Sequence, residues 1–226
     1  MRPDAIIFDF DGVLLESEFE ANVQLAGILT GLGHHHTPGE AIRHYTGLNG
    51  DDFIAAIERR IGARLPAEFH HRMKQESIRA LKEGIEAVAG AVDFVRSLPA
   101  TLPRAVASSS STKWIRAHLE HLGLDDVFGE HIYSGREHVA RGKPAPDIYM
   151  FAAEQLGVDI RRSVILEDSE VGGRGAVASG ATVIGVAAGR HCFDGHDEIL
   201  RSAGVAHVAH SFDEVAQLLG LDQTSR

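Results

Sequence analysis

The stretch IIFDFDGVLLES, residues 6–17, decides how the rest of the chain is read. Ile6, Ile7 and Phe8 form a short apolar run of the kind that fills a buried strand. Asp9 and Asp11 follow one residue apart, with Gly12 directly behind them. Side chains two apart on a strand project to the same side, so the spacing predicts two carboxylates at one sheet edge. Gly12 permits a sharp turn out of the sheet. Paired carboxylates near a core are costly unless a cation sits with them or one is protonated. Mg2+, which takes a few hard oxygen ligands and keeps several waters, is the expected partner.

Working outward from a first strand over Ile6–Phe10, the runs Ala105–Ser108, Val164–Glu167, Thr182–Val186 and Val205–Ala209 read as further strands. Helix-period stretches lie among them at Trp114–Leu122, Asp147–Leu156 and Phe212–Leu219. That alternation predicts an α/β fold, a doubly wound, Rossmann-like parallel sheet covered on both faces. The interval from residue 16 to residue 100 carries no strand signal. It reads instead as helices: one over 18–30, one started by Thr37, Pro38 and Glu40, and two more marked by Phe53, Ile54, Ile57 and Ile61 and by Phe69 and Met73. The predicted organisation is therefore a core of residues 1–16 and 86–226 with a helical insertion of 17–85. Hinges are expected near 14–18 and 82–88, where Gly84 is available.

Three more segments carry chemistry. VILEDSEVGG, residues 164–173, ends a strand in a second acidic pair, Glu167 and Asp168. RAVASSSSTKW, residues 104–114, ends a strand in hydroxyls just before a helix, an arrangement suited to a phosphate at a helix N-terminus. ARGKPAPDIY, residues 140–149, sets Lys143, one of four lysines, in a proline-stiffened turn. Parallel strands would bring both acidic pairs to one edge, where an anionic substrate needs a cation.

Taken in order, these segments resemble the four motifs of the haloacid dehalogenase superfamily: DFDGVLLES, the strand ending in Ser108, GKPAPDIY and LEDSEVGG. The insertion resembles the helical cap domain of its sugar-phosphate branch, the branch that includes β-phosphoglucomutase. The resemblance implies phosphoryl transfer through an aspartyl-phosphate. Asp9 would be the nucleophile and Asp11 the general acid and base. Asp9, the Asp11 backbone carbonyl and Asp168 would hold Mg2+, with Glu167 as a further ligand or just behind it. Ser108, Ser109, Gly12 and Lys143 would bind the oxygens of the phosphoryl group.

Within that superfamily, a dehalogenase needs no metal and typically lacks the second aspartate, which is present here. A phosphonoacetaldehyde-type hydrolase needs a lysine early in the cap, whereas the first lysine here is Lys74. A hexose-phosphate mutase usually carries a histidine four residues beyond the serine after the first motif, where this chain has Ala21, and an arginine where TGLNGDD offers Asn49. A phosphatase acting on a small phosphorylated metabolite, a sugar or polyol phosphate, is the expectation, with the mutase as alternative and a catalytically silent binding protein as second alternative. Asn49 and Gly50 are candidate substrate selectors.

The net charge of −10 disfavours nucleic acid and anionic membranes as partners. The single cysteine, Cys192, allows no internal disulfide, and the acid-interrupted N-terminus is no signal peptide, so a cytoplasmic location is expected. GRGAVA, residues 173–178, fits a dinucleotide fingerprint, but acids precede it and close packing of glycine accounts for it. His34–His36, and His118 with His121, are expected at the surface. His191, Cys192 and His196 lack a fourth partner for zinc.

Overall fold

In the computed structural model, which describes residues 2–48 and 50–221, the apolar runs pair into one parallel sheet. β1 (Ala5–Phe8) is central, with β2 (Arg104–Ser108) and then β3 (Ile132–Ser134) on one side. β4 (Ser163–Glu167), β5 (Thr182–Val186) and β6 (His207–Ala209) follow on the other. Phe8 stands opposite Val106 on β2 and Leu166 on β4. The strand order reverses at β1, so the carboxyl ends of β1 and β4 lie side by side where open α/β sheets bind ligands.

The chain divides into two compact units, Ser17–Ile85 and the remainder, Met1–Glu16 with Glu86–Arg226. The first consists of α1 (Ser17–Gly31), α2 (Pro38–Tyr45), α3 (Gly50–Ile61) and α4 (Ala67–Glu83). Leu25, Leu29, Tyr45, Ile57 and Phe69 form its core. A capping box starts α2: Thr37 Oγ1 accepts from the Glu40 amide at 3.2 Å, and Glu40 Oε2 accepts from the Thr37 amide at 2.9 Å. Gly50 opens α3, exposed and at φ +53°, whereas Asn49 lies outside the described residues.

The remainder carries α5 (Ala91–Ser97), α6 (Thr112–His121), α7 (Asp125–Phe128), α8 (Asp147–Leu156), α9 (Glu170–Ala178), α10 (His196–Ser202) and α11 (Phe212–Leu219). One face of the sheet packs Ile7, Ala105 and Ile165 with Ile148, Tyr149 and Ala152 of α8. On the other, the Phe8 ring meets Phe94 and Phe128 edge-on at 6.2 and 5.6 Å. Such aromatic pairs contribute about 0.5–1.5 kcal/mol each beyond the area they bury. Where the chain leaves for the inserted helices and returns, the Glu16 amide donates to Glu86 O and the Val88 amide to Leu14 O.

Several expectations shift. β1 ends at Phe8 rather than Phe10, so Asp9 and Asp11 lie past the ladder and strand alternation no longer dictates where they point. β6 starts at His207 rather than Val205, because the Val205 amide closes the end of α10 on Leu200 O. β3, three residues long, is too short to carry a pattern and was not anticipated. His118 is fully buried rather than at the surface, its ring packed against Trp114. Among the described residues no helix is long and apolar enough to cross a membrane.

Candidate active site

Asp9 leaves β1 with its amide still bonded to Leu166 O of β4, which seats its carboxylate beside the end of that strand. Lys143, in the turn before α8, reaches it from the far side of the sequence. Its ammonium donates to Asp9 Oδ1 at 2.5 Å and to Glu167 Oε1 at 2.7 Å, and its side chain is 5% exposed. The Tyr149 ring lies 4.9 Å from the same ammonium, and its hydroxyl donates to Glu167 Oε1 at 2.8 Å. Glu167 Oε2 accepts from both the amide and the hydroxyl of Ser169. Every oxygen of Glu167 is therefore already engaged, and the residue anchors the lysine.

Asp168 is held differently. His191 Nε2 lies 2.9 Å from its Oδ2, and His196 Nε2 donates to its carbonyl oxygen at 2.7 Å. Gly12, at φ +82°, gives way to it: a Cβ there would stand 2.1 Å from Asp168 Oδ2. Gly172 does the same for Glu167, since a Cβ at that position would lie 1.6 Å from Oε1. Gly175 lets α9 approach the backbone of Pro144 and Ala145, where a Cβ would come within 3.1 and 3.0 Å of their carbonyl oxygens. The glycines of VGGRGAVA thus make room for the acidic pair and for the turn that carries Lys143.

The charges do not balance locally. Burial pushes Asp9 well up from the usual carboxylate range, against the pull of Lys143, and the charges of Glu167 and Asp168 add to the rise. Burial likewise raises Asp168 well up, with the Glu167 and Asp11 charges contributing. Glu167 stays below its ordinary value: burial opposes this, but the Lys143 charge and hydrogen bonds from Lys143, Ser169 and Tyr149 together outweigh it. Burial disfavours the charge on Lys143, yet its carboxylate partners hold its pKa well up. Asp9, Glu167 and Asp168 each offer an oxygen within 4.8 Å of the others. An all-oxygen, excess-negative set with room kept open by Gly12 fits a hard divalent cation.

Asp11 faces other partners. Its Oδ2 accepts from Ser110 Oγ at 2.6 Å and Ser108 Oγ at 3.2 Å, and its Oδ1 from Trp114 Nε1 at 3.1 Å. The serine run thus divides its work. Ser108 ends β2, Ser109 is exposed, Ser110 turns to Asp11, and Ser111 caps α6 by accepting from the Trp114 amide. The structure gathers Asp9, Lys143, Glu167 and Asp168 in one cluster and joins Asp11 to Ser108.

Ser110, Trp114, Tyr149, His191 and His196 were not singled out as site residues in the sequence. Position alone could have marked Ser110, Trp114 and Tyr149, each inside a motif-bearing segment, whereas His191 and His196 lie beyond a helix and a strand from the acidic motif. His191, Cys192 and His196 do bring ligand atoms within 4.8 Å, but both imidazoles are turned onto Asp168.

A family model for haloacid dehalogenase-like hydrolases matches residues 3–180. The chain belongs to the haloacid dehalogenase-like hydrolases. The matched span contains Asp9, Asp11, Ser108, Lys143, Glu167 and Asp168. Among relatives in this family, fructose-1-phosphate phosphatase YqaB of Escherichia coli is 31% identical over 189 residues, covering 82% of this chain and 97% of that protein. Hexitol phosphatase A of the same organism is 30% identical over 82% of this chain and 84% of its own. A HAD family hydrolase from Deinococcus radiodurans, with bound phosphate and sodium, superimposes with a TM-score of 0.85 at 34% identity over 98% of each chain. The structure of that hydrolase thus shares the fold described above.

Proposed function

We propose that this chain is a Mg2+-dependent phosphatase of the cytoplasm that hydrolyses a small phosphorylated metabolite, a sugar or polyol phosphate, through an aspartyl-phosphate on Asp9. The observation that carries the reading is the buried Lys143 bridging Asp9 and Glu167, with Asp168 beside them and Asp11 held apart on hydroxyl and indole donors. A lysine so placed serves an anionic substrate, and two carboxylates in unlike surroundings suit unlike roles. The phosphatase relatives support the substrate class.

Asp9 attacks phosphorus, the P–O bond to the alkoxide breaks, and Asp11 gives the alkoxide its proton. Asp11, now a carboxylate, takes a proton from the water that attacks the phosphorus of the aspartyl-phosphate. That second attack returns Asp9 and releases phosphate. Lys143 offsets charge on Asp9 and on the phosphoryl oxygens, and Ser108 and Ser109 at the end of β2 offer donors to those oxygens. Such a loose, highly charged transition state gains more from fixed positive and hydrogen-bonding groups than from covalent help. Asp9, Asp168 and the Asp11 carbonyl would hold Mg2+, which supplies further positive charge to the phosphoryl group when bound.

Glu167 supports Lys143, its oxygens engaged by Lys143, Tyr149 and Ser169, and stands beside Asp9 and Asp168 as a further ligand or just behind them. The inserted helices act as a cap that selects substrate and excludes water, with Asn49 and Gly50 among its selecting residues. The test is phosphate release across a panel of sugar, polyol and aryl phosphates, with Mg2+ and with chelator. Release that needs Mg2+ and disappears in Asp9→Asn is expected. Release unaffected by chelator removes the metal-dependent mechanism, and isomerised sugar phosphate in place of free phosphate makes the enzyme a mutase.

A further inference from the structure

The general acid proposed above has a donor of a different kind beside its serine hydroxyls. Trp114 is the one tryptophan of the sequence, and its Nε1 donates to Asp11 Oδ1 across 103 residues of chain. The indole is fixed before it meets the aspartate. Its amide is tied to the Ser111 cap in the first turn of α6. One turn on, the buried His118 ring packs against it at a tilt of 42°, centroids 4.1 Å apart, with His118 Nδ1 2.9 Å from the Trp114 carbonyl oxygen.

These donors on Asp11 are not equivalent. A serine hydroxyl both donates and accepts, so Ser108 and Ser110 can turn to suit either a carboxylate or a carboxylic acid. An indole N–H only donates. A protonated oxygen is the poorer acceptor, so the N–H on Oδ1 favours a proton on Oδ2, the oxygen beside the two hydroxyls. A group that gives a proton in one half-reaction and takes one in the next needs its orientation kept through both.

We propose that Trp114 is a positioning residue for Asp11, fixing the carboxyl plane through Oδ1 so that Oδ2 is the oxygen that carries and delivers the proton. This rests on the reading of Asp11 as the proton donor to the leaving group. A merely packing indole would matter equally for every substrate. A positioning indole matters in proportion to how much the leaving group needs a proton.

Trp114→Phe, which keeps an aromatic ring and removes the N–H, separates the two. The readout is kcat/KM with Mg2+ on an alkyl phosphate, whose alkoxide must be protonated, and on p-nitrophenyl phosphate, whose phenolate need not be. The expected loss is about tenfold on the alkyl ester, the worth of one hydrogen bond to a charged acceptor, and less than about threefold on the aryl ester. Asp11→Ala, measured alongside, should show the same selectivity more strongly. An even loss in Trp114→Phe, or none, beside a selective loss in Asp11→Ala overturns the proposal alone. An even loss in Asp11→Ala overturns the assignment of Asp11 and the proposal with it. Should Trp114→Phe fail to fold, the emission of the single indole is compared in the unaltered protein and in Asp11→Ala. A change in that spectrum is expected, and identical spectra overturn the proposal.

Discussion

Replacing Lys143 by methionine keeps an unbranched apolar stem of similar reach and removes only the ammonium. That ammonium stands 2.5 Å from Asp9 Oδ1 and 2.7 Å from Glu167 Oε1, and the three side chains are 5%, 9% and 0% exposed. Little water is available to replace it. Removing one partner of a buried ion pair costs about 3–5 kcal/mol, because the charge left behind is uncompensated. For a chain of this size each kcal/mol shifts Tm by about 2–4 °C, so a fall of roughly 6–20 °C is expected. The pH dependence has a definite sign. Burial already raises Asp9 and Asp168; without the lysine Asp9 rises further and Glu167 loses the main cause of its depression. Carboxyls whose folded pKa lies above their unfolded value of about 4 lend stability that is complete below that value. That stability is lost as pH rises through the folded values. The deficit of Lys143→Met against the unaltered protein should therefore be larger at pH 8 than at pH 5. Urea denaturation in chelator at the two pH values measures it. A deficit under about 1 kcal/mol at pH 8, or one that grows on acidification, refutes the reasoning.

Gly12→Ala should retain the fold but lose phosphatase activity by about a hundredfold, the usual consequence of a 1 Å displacement in a reacting site. Its Cβ would press on Asp168 Oδ2 from 2.1 Å at a backbone φ of +82°, and activity within threefold of the unaltered enzyme contradicts this. Tyr149→Phe deletes a donor to a buried carboxylate and should lower stability by about 1–3 kcal/mol in thermal or urea unfolding. In the inserted helices, hydrogen bonds from the Thr37 amide and hydroxyl hold the Glu40 carboxyl down at about 2. Its contribution to stability is accordingly present above the unfolded value and lost as pH falls toward 2. NMR titration should find that midpoint, and Thr37→Ala should return it toward 4.5.

The parallel sheet and the acidic motifs were legible in the sequence for one physical reason. Buried strands such as Ala5–Phe8 and Ser163–Glu167 are continuous apolar runs, and a carboxylate at the end of such a run is a conflict that stands out. Lys143 was legible because a rare lysine sat in a rigid turn. What escaped was whatever depends on distant contacts. The run of four serines gave no order of duties, because each duty is set by Asp11, the α6 cap or solvent rather than by local pattern. Tyr149 read as one more apolar position of α8, with nothing local to say that its hydroxyl meets Glu167. His118 looked like a surface histidine on an amphipathic helix, and its burial follows from packing against Trp114. His191 and His196, judged as zinc ligands, lacked a partner. Their imidazoles serve Asp168 instead, a contact across 23 and 28 residues that no spacing rule encodes.

A rapid acid quench with radiolabelled substrate shows whether Asp9 carries the phosphoryl group. Acyl phosphates survive acid and are cleaved by hydroxylamine, so the label should appear on the peptide containing Asp9, be lost to hydroxylamine and be absent in Asp9→Asn. Label on any other residue, or phosphate release by Asp9→Asn at the rate of the unaltered enzyme, would contradict the account.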